Sequence, residues 1–354
     1  MIQPKQNRVL YIVGAGFSAP LGLPVMADFI SRSKDLFFNN SKQFAYFEGV
    51  YGTIAELSAI KNTFISDLYN IEEILSLLEM DSFMKGEELS ENFVRFLSDV
   101  VKNLLPPMVP HSGKVGQSNW HGFLLGENPL WRPYLLLMAA MLGLEARVNQ
   151  SDSKLTWRRL PISDRYAIIT LNYDTVIEAA FSYVTSIGFD GQAPVLEKKE
   201  YDPSWDKLQL AKLHGCANDG NIVPPTWRKG NNAVKDAWRL AYCLLRDANQ
   251  IRIVGYSLPV SDSYIRYLLK TAIRSSPDLK AIDVLTYDTG DNTKQRYDEF
   301  VDFNRFRFIS GKLEQLFRRF DDFLEPVARR ANFKDPLRLN ILEAAHRSLF
   351  EVEQ

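Results

Sequence analysis

The stretch Arg8-Val9-Leu10-Tyr11-Ile12-Val13-Gly14-Ala15-Gly16-Phe17-Ser18 decides the fold. Val9 to Val13 is an unbroken apolar run, rich in β-branched and aromatic residues, that stops at a glycine. An apolar run without alternation reads as a strand buried on both faces, the kind found in parallel sheets. Gly14 and Gly16 permit a tight turn and let backbone N–H groups approach a phosphate at the start of a helix. A helix is expected near Met26 to Lys34. The dinucleotide template asks for a third glycine three residues after the second, and position 19 is Ala, which its looser form accepts. No second strand ending in an acidic residue follows within 20 residues, so the dehydrogenase version of the template fits poorly. A bare strand-to-helix turn without ligand accounts for this stretch equally well.

Working outward, residues 35–160 are dominated by helical periodicity. Leu68, Ile71, Leu75 and Leu78 share a face, as do Phe93, Phe96, Leu97, Val100, Val101, Leu104 and Leu105. Pro106, Pro107 and Pro110 end the second of these helices, a long polar loop runs to about 130, and an apolar helix is expected over 132–148. Strand and helix alternate again from Tyr166. Strands are predicted at 166–170, 208–213, 251–254, 281–286 and 305–309, with helices at 174–184, 233–247, 262–275 and 311–323. An amphipathic helix of mixed charge closes the chain at 336–352. Strands separated by helices of this length imply βαβ units. The expected fold is therefore α/β: a Rossmann-like parallel sheet flanked by helices, with a helical insertion or subdomain. Residues 1–34 and 161–330 form the Rossmann-like part, 35–160 the insertion, and 331–354 a C-terminal helix.

Composition narrows the function classes. Of 354 residues 46% are hydrophobic, and 42 basic side chains nearly balance 43 acidic ones. That balance argues against binding nucleic acid or an anionic membrane with the whole surface. Two cysteines, Cys216 and Cys243, neither build a disulfide framework nor a four-thiolate zinc site. No His/Cys/Asp/Glu cluster has metal spacing, so no metal is expected. The longest apolar run falls short of the roughly 20 residues a bilayer needs, and no signal-peptide core is seen. A cytoplasmic location is the expectation.

Three further segments lie at the carboxyl ends of predicted strands: Thr170-Leu171-Asn172-Tyr173-Asp174, Lys212-Leu213-His214-Gly215, and Val254-Gly255-Tyr256-Ser257-Leu258. Ligands of open parallel sheets bind outside these ends. Together with the glycine turn, they make a coherent site on one edge. Asn172 both donates and accepts hydrogen bonds, and His214 carries an imidazole, a group whose unperturbed pKa lies near neutrality. Asn172 and Asp174 equally suit an Asx turn that caps the next helix, and a His beside a strand-ending Gly is often structural. The residues alone leave both roles open. Glu72 and Glu73 read as a solvated helix face.

As a set, Gly14-Ala15-Gly16-Phe17-Ser18, Gly22-Leu23-Pro24, Thr170-Leu171-Asn172-Tyr173-Asp174, His214-Gly215, Gly255-Tyr256-Ser257-Leu258 and Ser261-Asp262 resemble a sirtuin-like domain. The resemblance is to the divergent bacterial type found in antiphage defence, and its motifs anchor residues 9–290. Classical sirtuins carry a four-cysteine zinc site and continue the Gly-Ile-Pro turn with an acidic, an aromatic and an arginine residue. Here Pro24 is followed by Val25-Met26-Ala27, and both departures weaken a protein-deacylase reading.

The resemblance implies an NAD glycohydrolase that cleaves NAD, its substrate, to nicotinamide and ADP-ribose. It gives the catalytic roles to Asn172 and His214. Gly14, Ala15, Gly16, Phe17, Ser18 and Gly255 would hold the nucleotide, and Asp174 would face the nicotinamide carboxamide. Ser257 would meet the adenosine ribose or phosphate. Asp288 would accept the adenosine-ribose hydroxyls, with a plain surface turn as the alternative. Pro224-Pro225-Thr226-Trp227 would wall or cover the pocket. No sensor domain is recognisable in the chain, so regulation is expected from homo-oligomerisation or a separate protein. The resemblance suggests a hexameric DNA-translocating ATPase or an Argonaute-type protein as that partner. A module that senses NAD or ADP-ribose without cleaving it is the alternative from another class.

Overall fold

The computed structural model describes residues 6–351, apart from 65, 67–68, 86–88, 111–119, 149–153, 224–231, 261, 277 and 331–335. Its centre is a seven-stranded, wholly parallel sheet built from β1 (Asn7–Val13), β2 (Asp164–Thr170), β3 (Leu196–Glu197), β4 (Leu208–Lys212), β5 (Gln250–Val254), β6 (Ala281–Thr286) and β7 (Phe306–Ser310), in the order β7-β6-β5-β1-β2-β4-β3. β1 lies between β2 and β5, where the order of the strands reverses direction. The carboxyl ends at this point form the crevice in which open sheets take their ligands.

Side-chain alternation distributes β1 between two cores. Val9, Tyr11 and Val13 join a cluster with the helices Arg132–Met141, Val176–Ser186, Leu313–Arg330 and Leu342–Glu351. Leu10 and Ile12 join the opposite cluster, beneath the helices Asn232–Asp247 and Ser263–Ile273. This explains why β1 reads as a continuous apolar run: both faces are covered. A third cluster gathers Phe29, Phe47, Ile71, Leu75, Phe93, Phe96 and Val100 from the helices Phe29–Asn39, Phe47–Leu57, Ile71–Lys85 and Leu89–Leu104. Tyr173 and Ala217, beyond the ends of β2 and β4, belong to it too. These helices therefore sit on the carboxyl edge of the sheet.

Three elements differ from the sequence expectation. One α-helical turn, Ala15–Ser18, follows Gly14 directly, and the longer helix begins at Phe29, because Ala19–Leu21 and Met26–Asp28 are single 3₁₀ turns on either side of Pro24. The helix expected over 132–148 stops at Met141, since Gly143 takes the left-handed conformation (φ +62°) that ends helices. Leu144–Val148 then pairs antiparallel with Leu155–Arg159 and Leu337–Arg338, so residues 337–338, which begin the expected tail helix, are a strand. The tail helix proper, Leu342–Glu351, is held by buried charge. Arg252 on β5, 1% exposed, makes a bidentate pair with Glu343 (2.6 and 2.9 Å) and donates to Tyr11 Oη (2.9 Å). His346 meets Asp283 at 2.7 Å, and Asp283 also accepts both arms of Arg307 (2.7 and 2.8 Å).

Candidate active site

The glycine turn is shaped by backbone packed on backbone. Gly14 N–H donates to Val254 O (3.0 Å), Gly16 N–H to Gly255 O (2.9 Å) and Phe17 N–H to Gly14 O (2.9 Å). A Cβ on Gly14 would stand 2.7 Å from Gly255 O, and one on Gly255 would stand 2.3 Å from Phe17 N. Gly255 also holds φ +65°. Only glycine fits these positions, because the neighbours are main chain and cannot rotate away. The amides of Gly14, Gly16 and Phe17 thus serve the fold, which narrows the phosphate cradle expected from the sequence.

Asn172 fastens this turn from the next strand. Its Nδ2 donates to Gly14 O (2.9 Å) and to Ser18 Oγ (3.0 Å), so both amide hydrogens are engaged and its Oδ1 is what it offers to a ligand. Asp174 caps the Val176–Ser186 helix through Val176 N–H (3.0 Å) and bonds to Ser18. Burial raises the Asp174 pKa, against the opposing pull of Lys212, the Ser18 hydroxyl and the Val176 amide. Lys212 Nζ donates to the Asp174 carbonyl and pairs with Glu178 at 3.3 Å. Behind the turn, then, one polar chain runs from Gly14 through Asn172 and Ser18 to Asp174.

His214, 1% exposed, follows β4 on the inner wall. Gly215 turns the chain there with φ +81°; a Cβ would lie 1.6 Å from Asn221 O, which allows the tight Gly215–Cys216 and Asn221–Ile222 pairing. The imidazole lies between two carboxylates. Glu72 Oε1 is 3.9 Å from Nδ1 and Asp262 Oδ2 is 4.0 Å from Nε2. Tyr173 tilts over the ring at 6.0 Å between centroids. Tyr256 donates to Asp262 Oδ2 (2.8 Å), and burial followed by the charge of Asp262 pushes its phenol well above the usual range.

These groups enclose a cavity of about 380 Å³. Gly14, Ala15, Gly16, Ser18, Asn172, Asp174, His214, Gly255 and Ser257 all line it. Two sequence candidates do not. The Phe17 ring is buried in the sheet core against Tyr134 (5.3 Å, 86°), because the turn directs it inward. Asp288 accepts Lys294 N–H (2.7 Å) at the start of the Asn292–Asp298 helix and lies outside the lining. Pro224–Trp227, Ser261, His111 and the His121 side chain fall outside the described residues.

Glu72 corrects the sequence reading. It is 8% exposed, lines the cavity, and does not lie on a solvated face, whereas its neighbour Glu73 is half-buried and accepts from Ser66 (2.7 Å). The Ile71–Lys85 helix brings it there, with Asn70 Oδ1 capping the N–H groups of Glu72 (3.0 Å) and Glu73 (3.3 Å). The position of Glu72 beside Ile71, on the margin of the buried stripe, was the available signal. The charged lining is Glu72, Asp174 and Asp262 with His214, and holds no Lys or Arg among the described residues. A second cavity of about 490 Å³ shares Gly16, Leu23, Pro24, Val25, Gly255 and Tyr287 with the first and adds Arg32 and Lys312 together with Asp28 and Glu314. Lys312 Nζ lies 5.0 Å above the exposed Tyr287 ring.

Among the described residues, no group of three His, Cys, Asp or Glu side chains is placed to hold a metal ion, and no helix is long and apolar enough to cross a membrane. A search of curated protein sequences gives no match. Among solved structures, one described as a crystal structure of SIR2 in complex with the inhibitor EX-527, 2'-O-acetyl-ADP-ribose and deacetylated p53 peptide is 14% identical. The alignment covers 90% of this chain and 94% of that one, with a TM-score of 0.33. Another, described as showing the structural basis of sirtuin substrate affinity, is also 14% identical, over 89% and 93% of the two chains, with a TM-score of 0.37. Residues 166–309, the span that carries Asn172, Asp174, His214, Gly255 and Ser257, match the family model of the SIR2-like domain.

Proposed function

We propose that the chain is an NAD glycohydrolase, which releases nicotinamide and leaves ADP-ribose. The observation that carries this reading is the convergence of the glycine turn, Asn172, Asp174 and His214 on one cavity whose other charged groups, among the described residues, are all carboxylates. Nicotinamide in NAD is cationic, so a carboxylate-lined, partly apolar chamber favours it, and the positive ring in turn relieves the cost of a buried Asp174. The adjoining chamber carries Arg32 and Lys312 beside Asp28 and Glu314, and its two cations are the groups that would meet the pyrophosphate.

In cleavage, the bond between C1′ and the nicotinamide nitrogen breaks, and its electron pair neutralises the departing ring. No acid is needed to protonate that leaving group. The sugar passes through an oxocarbenium-like state, which the carboxylates stabilise, and water adds to C1′ on the opposite face. His214 accepts the proton that this water loses, and Asn172 Oδ1 orients a ribose hydroxyl or the water. The cellular reading that accompanies this chemistry is a regulated effector of bacterial antiphage defence, acting by NAD depletion. It rests on the motif resemblance, as do self-assembly or a partner protein as the source of control.

A second reading, a module that senses NAD or ADP-ribose without cleaving it, is favoured by one observation: both amide hydrogens of Asn172 serve the fold. Nicotinamide release from NAD by the purified chain, followed by chromatography, separates the two. The wild type is expected to release nicotinamide, and His214→Ala to bind nucleotide with turnover reduced about 10²–10⁴-fold. Equal turnover by the variant would refute the role of His214; silence from wild type would favour the sensor.

A further inference from the structure

His214 faces Glu72 through Nδ1 and Asp262 through Nε2, at 3.9 and 4.0 Å, and the two carboxylates differ in origin. Asp262 precedes the Ser263–Ile273 helix, close to the end of β5, and its Oδ2 is committed to the Tyr256 hydroxyl. Glu72 comes from the helical layer, on a helix fixed by its Asn70 cap and by Ile71, Ile74, Leu75 and Leu78 in the core. Among the described residues, the other titratable groups that line this side of the cavity are the phenols of Tyr173 and Tyr256. Burial first, then the charges of Glu72 and Asp262, keep both protonated. The negative charge beside the imidazole is therefore carboxylate, and Glu72 is the share of it supplied from outside the sheet.

The geometry points to Glu72 as a positioning residue for His214, which fixes the ring and balances its charge when the ring holds a proton. At 3.9 Å the contact is electrostatic. An approach of about 1 Å turns it into a charge-assisted hydrogen bond once the imidazole is protonated. The carboxylate behind the imidazole of a hydrolytic triad acts in the same way. The catalytic consequence rests on the hydrolase reading; the pairing itself does not.

The test therefore has two readouts on the full chain. In protein carrying ¹³C-labelled histidine, without substrate, the His214 signal is assigned by its absence from His214→Ala. In Glu72→Gln its titration midpoint is expected about one pH unit lower than in the wild type, with Glu72→Asp keeping most of the wild-type value. With NAD, Glu72→Gln is expected to lower kcat about 10–100-fold at nearly constant KM and to move the acid limb of the pH profile the same way, with partial recovery in Glu72→Asp. An unmoved midpoint in Glu72→Gln, or an equal shift in Glu72→Asp, overturns the proposal. A shifted midpoint in a protein whose wild type releases no nicotinamide supports the pairing and favours the sensor reading over the hydrolase.

Discussion

Acidification is expected to loosen this protein through His346 before it protonates the carboxylates around it. His346 is 4% exposed in the tail helix, against Asp283 at 2.7 Å and the Phe350 ring at 4.6 Å. Burial, helped by the charge of Arg252, lowers its pKa to about 4 in spite of Asp283 and Glu343. The unfolded chain holds an ordinary imidazole near 6.5, so between these values it binds a proton that the folded chain refuses. Stability from this group is complete above about pH 6.5 and is lost as pH falls toward 4. Between pH 7 and pH 5 the loss is about 2 kcal/mol, or roughly thirty-fold in the folding equilibrium. Asp283 and Glu343 have lowered pKa values, although burial opposes this. The His346 and Arg307 partners hold Asp283 down, and Arg252 and Tyr166 hold Glu343 down. Their contributions therefore fade only as pH drops further, below the ordinary carboxylate range. The assay is urea unfolding followed by tryptophan fluorescence at pH 7, 6 and 5, in wild type and His346→Gln. The variant, which cannot titrate there, is expected to be less stable at pH 7 but to lose about 2 kcal/mol less on going to pH 5. The comparison cancels the other histidines. Equal pH slopes in the two proteins would refute a neutral, buried His346.

Gly255→Ala places a methyl group 2.3 Å from Phe17 N at a left-handed φ, so it is expected to cost at least about 1–2 kcal/mol and abolish nicotinamide release. Wild-type melting and turnover in that variant would refute the close approach of the two turns. Asn172→Ala strips donors from Gly14 O and Ser18 Oγ, at about 1–3 kcal/mol, and Asn172→Asp is expected to cost more because a carboxylate then faces the Gly14 carbonyl. Thermal melting reads both; variants as stable as the wild type would make Asn172 a purely chemical residue.

The sheet was legible because its signals are local. The apolar runs at Val9–Val13, Tyr166–Thr170, Ile251–Val254 and Ala281–Thr286 all lie in strands, and the turns after the first three carry residues that line the cavity. Asn172, Asp174 and His214 were visible because a polar residue after a buried strand has few places to go. Phe17 was misplaced because a turn's composition does not tell which way each side chain points, and here the ring turns toward Tyr134. Gly143 lies inside the run expected to be helical to 148, and its left-handed φ ends that helix at a place where Ile162, 2.7 Å from a would-be Cβ, leaves room for glycine alone. Glu72 was hidden for a different reason. Next to Glu73 it has the pattern of a wet helix face, and its burial comes from the meeting of that helix with the edge of a sheet encoded a hundred residues later.

The central place of β1 has a consequence for how the chain is made. Its neighbours in the sheet pair Asn7 with Asp164 and Tyr11 with Arg252, contacts 157 and 241 residues apart. At about 5–20 residues per second, the ribosome needs roughly ten to fifty seconds to deliver β5 after β1 has emerged. Throughout that interval a strand whose five last residues are all buried in the finished protein has no lasting partner on one side. The order of assembly thus runs against the order of synthesis: β1, made before every other strand of its sheet, is the keystone, set when its flanks arrive. Such a topology folds slowly for its size and exposes a sticky edge while it waits, which makes newly made chains, more than finished ones, the form that needs a chaperone.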